Sequence, residues 1–135
     1  MDQLALANQF NKNTLMEHLG IEYTAIGDGF VQARMPVDHR THQPMGLLHG
    51  GATAALAESM GSLGSYMMID QEKYTAVGIE VNANHLRSVK NGFVYAEANL
   101  VHRGKTLHVW DIKVKDEREK VISICRLTNM IIKKG

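Results

Sequence analysis

Between Thr41 and Ile69 the chain carries a single Asp, Glu, Lys or Arg, and it is Glu58. A stretch this poor in charge must be buried, either in a membrane or in a protein core. Its uninterrupted apolar runs are too short for a bilayer, and Gly46, Gly50, Gly51, Gly61 and Gly64 together with Glu58 argue further against one. The pattern therefore predicts a buried helix, beginning near His49 or Gly50 and ending near Ile69.

The segments after this helix alternate with period two. Thr75, Val77, Ile79 and Val81 alternate with Ala76, Gly78, Glu80 and Asn82. Val94, Ala96, Ala98 and Leu100 alternate with Tyr95, Glu97 and Asn99, and Trp110, Ile112 and Val114 with Asp111, Lys113 and Lys115. Val121 to Ile132 reads as a last long apolar strand. Turns fall at Asn91-Gly92, at Arg103-Gly104-Lys105 and in the charged run Asp116 to Lys120. With no crossover helices between them, these strands should pair antiparallel. Upstream, Ile21 to Ile26 and Phe30 to Met35 flank Gly27-Asp28-Gly29 as a hairpin, and Pro36 ends the second strand. Leu4 to Leu19 reads as a short amphipathic helix, its spacing interrupted at Asn11-Lys12-Asn13. The expected fold is α+β, a curved antiparallel sheet wrapped around a long central helix, as one domain over residues 1–135.

Composition limits the partners. Fifteen basic and fourteen acidic side chains leave a formal net charge of +1, which gives no electrostatic footprint for nucleic acid or an anionic membrane. Cys125, the only cysteine, can form neither an intrachain disulfide nor a thiolate cluster, and its place between Ser123 and Leu127 reads as packing. Met1-Asp2-Gln3 has neither the basic start nor the apolar core of a signal peptide, so a cytoplasmic protein is expected. His39, His42 and His49 lack an HExxH pattern and a supporting carboxylate cluster, so no metal is expected. There is also no G-x-S-x-G nucleophile elbow and no glycine-rich dinucleotide loop.

On a helical wheel at about 100° per residue, Ala52, Leu56, Met60, Leu63 and Met67 share a sector of roughly 80°, the expected core stripe. Glu58 lies opposite, flanked by Ala54, Gly61, Ser62 and Ser65, a face small enough to admit a second subunit or a thin ligand. At the helix start, His49-Gly50-Gly51 leaves backbone N–H groups uncovered, where an oxyanion can be stabilised. Gly50 and Glu58 are eight residues apart, about 12 Å along the axis at about 1.5 Å per residue. A base or nucleophile must come within about 3 Å of its target. One helix cannot bring both groups to one carbonyl, so joint action requires a neighbouring subunit and predicts an oligomer with shared sites.

The segment Gln43-Pro44-Met45-Gly46-Leu47-Leu48-His49-Gly50-Gly51-Ala52, continuing through Ala57-Glu58-Ser59 and Gly61-Ser62, resembles the hotdog-fold acyl-CoA thioesterases. It is most similar to the subgroup with a glutamate on the central helix, which includes hydroxybenzoyl-CoA thioesterases of the Arthrobacter type and the dihydroxynaphthoyl-CoA hydrolases of menaquinone synthesis. Val81-Asn82-Ala83-Asn84-His85-Leu86-Arg87-Ser88, the Gly104 turn with Val109-Trp110, and Arg126-Leu127-Thr128 resemble the latter as well. The likeness runs from about Leu19 to Ile132. It implies that Glu58 is the catalytic carboxylate, as nucleophile or as general base on water, and that the Gly50 N–H polarises the thioester carbonyl. Gln43 and His49 would position the thioester and stabilise the departing thiolate, and Ser62 would orient water or the acyl group. Coenzyme A would be held at Gly78, at His85, Leu86, Arg87 and Ser88, and at His102, Arg103, Gly104, Lys105, Thr106 and Leu107. The chemistry would need no cofactor beyond the coenzyme A of the substrate. A homotetramer built from two hotdog dimers would be typical, with Glu58 and the Gln43, His49 and Gly50 set on different subunits.

Two other functions fit such a chain. A hotdog enoyl-CoA hydratase or dehydratase also places an acidic group on the central helix, but usually within a Pro-Gly-rich motif that is missing here. A noncatalytic acyl-CoA binding module could use the same fold. Tyr66, Met67 and Met68 could line an acyl pocket, although methionines at helical spacing more often pack in a core.

Overall fold

The computed structural model describes residues 2–135. Two short helices, α1 (Gln3–Gln9) and α2 (Leu15–Leu19), precede the hairpin β1 (Glu22–Gly27) and β2 (Phe30–Pro36). The long helix α3 (Gly50–Tyr66) follows, then β3 (Tyr74–His85), β4 (Phe93–Arg103), β5 (Leu107–Lys115) and β6 (Val121–Lys133). All six strands form one sheet in the order β1-β2-β4-β5-β6-β3. Every neighbouring pair is antiparallel. This is the hotdog arrangement, with α3 lying across the sheet.

The strand alternation places the core. Val31, Ala33 and Met35 of β2, Val94, Ala96 and Ala98 of β4, Trp110, Ile112 and Val114 of β5, and Cys125 and Leu127 of β6 are buried on the face that holds α3. Cys125 packs as the pattern predicts, and burial pushes its thiol pKa up.

Several elements differ from the expectation. The N-terminal segment is two helices, because Asn13 takes a left-handed conformation (φ 63°) between them, and Gly20 at φ 74° ends the second. Asn8 ties this segment to β1 through both the N–H (2.8 Å) and the carbonyl (2.9 Å) of Tyr23. Helix α3 stops at Tyr66 rather than near Ile69, where the chain tightens into a turn with Met68 N–H bonded to Ser65 O at 3.0 Å.

The buried side of α3 is also wider than the predicted stripe. Ala52, Leu56 and Met60 are buried as expected, but so are Thr53, Ala57, Gly61, Gly64 and Ser65. A β-carbon at Gly61 would strike Leu127, and one at Gly64 would enter the Trp110 ring. Gly61 and Ser65 therefore face the sheet instead of flanking Glu58. Side-chain volume decided this: the helix backbone lies against Trp110, and only small residues permit that approach.

Beneath Ser65 is a buried polar cluster. Its Oγ accepts from Trp110 Nε1 (2.8 Å) and Asn129 Nδ2 (2.9 Å), so its own proton goes to His108 Nδ1 at 2.8 Å. The His108 ring is thereby held neutral with the proton on Nε2. Burial, with Arg103 and His102 nearby, lowers its pKa, consistent with that assignment.

Strand β3 departs most from the simple alternation. Its register with β6 shifts between Gly78 and Glu80, and Val77 and Ile79 are 39% and 51% exposed. β3 is an outermost strand, so apolar residues that alternation would bury have nothing of this chain to cover them.

Candidate active site

The loop before α3 is pinned on both sides. His49 N–H donates to Thr41 O and Leu48 N–H to Val89 O, each at 2.8 Å, and Gly46 turns at φ 78°. His49 is the N-cap of α3: its Nδ1 accepts from Gly51 N–H at 2.7 Å. The Gly50 N–H, first in the helix, has no intrahelical acceptor.

Against Gly50 lies His85, at the end of β3. A β-carbon at position 50 would fall 2.6 Å from His85 Nε2, so only glycine allows the ring to stay there. Buried Ser123 fixes that ring. Its hydroxyl donates to Asn84 O at 3.2 Å and lies 2.9 Å from His85 Nδ1, which makes Nδ1 the donor of that pair and turns Nε2 toward Gly50. Gly50, Gln43, His85, Leu86, Arg87 and Ser88 line one cavity of about 250 Å³, with Thr53 and Ile122 beside them. Within it, Gln43 Oε1 is engaged by the backbone N–H of Met45, which leaves the amide –NH2 as the available donor. His49 is exposed and stands outside that lining.

Glu58 is half-buried on the flank of α3 and lines a second cavity of about 410 Å³. Ser62 stands one turn further along the same wall, with Ser59, Leu63 and Tyr66. Gly78 lies directly against Glu58, and a β-carbon there would overlap the carboxylate. Ala7, Phe10 and Met16 from the first two helices, with Tyr23 from β1, form the opposite, mostly apolar wall. The spacing of apolar residues did not disclose this contribution of the N-terminal segment; Leu6, Phe10 and Leu15, spread over the first two helices, were the available signal. Tyr23 is buried and its OH donates to Ser59 O at 3.3 Å, with burial pushing the phenol up to about 12.

The remaining candidates occupy a third region, at the far end of α3. Arg103, Gly104, Lys105 and Thr106 line a cavity of about 460 Å³ together with Met68, Tyr74 and His108. Arg103 Nη2 donates to Met68 O at 3.0 Å. Exposed His102 fits beside Gly104, where a β-carbon would fall 2.7 Å from its Nε2, and Leu107 begins β5. Within one subunit, then, the Gly50 set, the Glu58 set and the Arg103 to Leu107 turn are separate. Among the described residues, no group of three or more His, Cys, Asp or Glu could hold a metal ion, and no helix is long and apolar enough to cross a membrane.

The family model described as the thioesterase superfamily matches residues 45–123, which span the α3 N-terminus, Glu58, β3, β4 and β5. The chain belongs to the thioesterase superfamily. Among its relatives is the proofreading thioesterase EntH of Klebsiella pneumoniae, 46% identical over 129 residues, covering 96% of this chain and 93% of EntH. The crystal structure of a mutant of the thioesterase PA1618 from Pseudomonas aeruginosa superimposes with a TM-score of 0.96 at 46% identity, covering 99% of this chain and 96% of that one. The thioesterase HI1161 of Haemophilus influenzae superimposes at 0.93 with 44% identity, covering 98% and 92%. This thioesterase shares the hotdog fold with those proteins across nearly its full length, including the N-terminal helices. Thioester hydrolysis is therefore its chemistry.

Proposed function

We propose that this thioesterase hydrolyses an acyl-CoA with an aromatic acyl group, in sites shared between two subunits. The observation that carries the reading is the relation of α3 to β3. Glu58 lies over Gly78, Gly50 lies against His85, and both partners are on one exposed outermost strand. A strand of twelve residues with Val77 and Ile79 uncovered is a template for pairing. If β3 pairs antiparallel with its twin about an axis near Val81 or Asn82, the Gly78 part of one strand comes beside the His85 end of the other. Glu58 of one subunit then approaches Gly50 of the next, and the distance along a single helix ceases to be an obstacle.

In such a site the Gly50 N–H, reinforced by the helix dipole, polarises the thioester carbonyl and stabilises the oxyanion. The Gln43 amide is a second donor. Glu58 supplies the carboxylate that attacks the carbonyl carbon or takes a proton from attacking water. The new C–O bond forms, the C–S bond breaks, and the thiolate leaves and takes up a proton as CoA; where Glu58 itself attacks, water then cleaves the resulting anhydride to free the acid and the carboxylate. His49, with Nδ1 committed to the helix cap, offers Nε2 to the departing sulfur, and Ser62 orients water or the acyl group. The apolar wall of Phe10, Met16 and Tyr23 supports a flat, aromatic acyl group near Glu58. The sequence likeness favours a dihydroxynaphthoyl or hydroxybenzoyl group.

Gly78, His85, Leu86, Arg87 and Ser88 would hold the thiol-bearing arm. Arg103 to Thr106 line a separate cavity with His102 and Leu107 beside it, and in a tetramer of two dimers they would serve the coenzyme of a neighbouring subunit. A panel of aryl- and alkyl-CoA esters assayed for free thiol tests the reading. Thiol release highest with aryl esters, and lost in Glu58→Gln with folding intact, is expected. Hydration of an enoyl-CoA without thiol release, or CoA binding without turnover, would contradict it.

A further inference from the structure

Beside the Gly50 cavity is a larger one, of about 590 Å³, which shares Arg87 and Ser88 with it as a common wall. Its lining carries four cations, Arg87, Lys90, Arg118 and Lys120, and two carboxylates, Asp116 and Glu117. The carboxylates are already engaged by the backbone. Asp116 Oδ1 accepts from Arg118 N–H (2.9 Å) and Lys120 N–H (3.0 Å), and Glu117 Oε1 accepts from Phe93 N–H at 3.2 Å. The cations are not: none of the four has an ion-pair partner among the described residues.

The turn that presents Arg118 and Lys120 is closed and specific. Asp116 N–H donates to Lys120 O and Glu119 N–H to Asp116 O, both at 2.9 Å, and Glu119 adopts the left-handed conformation at φ 64°. This lock fixes the backbone that carries Arg118 and Lys120 on the rim of the groove, where four cations outnumber the two carboxylates, and Arg87 and Ser88 join the groove to the Gly50 cavity. An excess of exposed cations around a concave surface attracts phosphate, and guanidinium matches its geometry.

We propose that Lys90, Arg118 and Lys120, together with Arg87, form the subsite for the phosphate end of the substrate's pantetheine arm. The inference rests on the thioesterase reading and adds residues to it that lie outside the segments expected to hold coenzyme A. The pantetheine phosphate is common to coenzyme A and to a carrier protein bearing the same arm, so the cations read the shared phosphate.

The test uses one acyl group on three thiols: CoA, phosphopantetheine and pantetheine. In the Lys90→Ala/Arg118→Ala/Lys120→Ala variant, KM for the CoA and phosphopantetheine esters should rise about tenfold more than KM for the pantetheine ester, as expected for three exposed ion pairs lost together. The difference should shrink as salt is raised. The same ester on a carrier protein should show the same rise if that is the natural source. Equal changes on all three thiols, or a rise confined to the CoA ester, would overturn the proposal. Lys90→Glu alone, outside the turn, should give a change in the same direction if the triple variant folds poorly. Calorimetric titration with CoA reads the subsite separately: if the wild type binds CoA with cation-dependent affinity but cleaves no ester, the hydrolase reading fails and the subsite stands.

Discussion

The Glu58 carboxylate lies over Gly78, in the space that a β-carbon at position 78 would occupy. Helix α3 and the outermost strand β3 therefore meet at the carboxylate proposed to act, and the strand that would pair with a second subunit is also the strand that sets its position. Gly78→Ala should displace Glu58 by the width of a methyl group. We expect kcat to fall by about ten- to a hundredfold with KM changed far less, since a misplacement of about 1 Å is enough for that. Steady-state kinetics with the preferred aryl ester, beside a thermal melt showing intact folding, check it.

The exposed edge carries the second prediction. Ile79→Lys puts a second charge beside Glu80 at the centre of β3, where Ile79 is 51% exposed in the lone subunit. Charge on an edge blocks strand pairing. The variant should elute as a smaller species in size-exclusion chromatography with light scattering and lose hydrolysis in parallel. Full activity in a monomer would contradict shared sites.

Close packing of α3 on the sheet sets the third. Gly64 faces the Trp110 ring with no room for a β-carbon. Gly64→Val should cost about 2 kcal/mol or more through overpacking, lowering Tm by at least about 5 °C, with the loss of stability preceding any kinetic effect.

The Ser65, His108, Trp110 and Asn129 cluster gives a pH dependence. Burial first, and then Arg103 and His102, depress the folded pKa of His108. The unfolded chain therefore binds a proton at His108 more readily than the folded one. The stabilisation is full above the unfolded value of about 6.5 and is lost as pH falls from there through the lower folded value. Tm measured from pH 7.5 downward should begin to drop below about pH 6.5, and His108→Gln should remove that part of the slope.

Much of this was legible in the chain before folding. The charge-poor segment located α3 and its one carboxylate, the alternation located four long strands, and the His49-Gly50-Gly51 start located the uncovered amide. The spacing of Gly50 and Glu58 already meant that the two could act on one carbonyl only across two subunits. Other features were hidden for physical reasons. Periodicity measures hydrophobicity, whereas the Trp110 contact selects for small volume, so Gly61 and Ser65 were read as facing away from the sheet. Val77 and Ile79 look like core residues because the alternation of one strand cannot tell whether its cover comes from its own chain. The cavity wall from Phe10 and Met16 was obscured because it belongs to two helices that Asn13 separates. Lys90, Arg118 and Lys120 read as ordinary turn residues because only the fold gathers them with Arg87 around one groove.

The central claim is that an acid from one subunit serves the helix start of another. Glu58→Gln and Gly50→Ala, each inactive alone, should be unfolded together, refolded as a mixture and assayed for thiol release. With random pairing, half the dimers are hybrids and each hybrid keeps one intact site of two, so roughly one quarter of wild-type activity should return. A mixture no more active than the two variants measured separately would contradict the account.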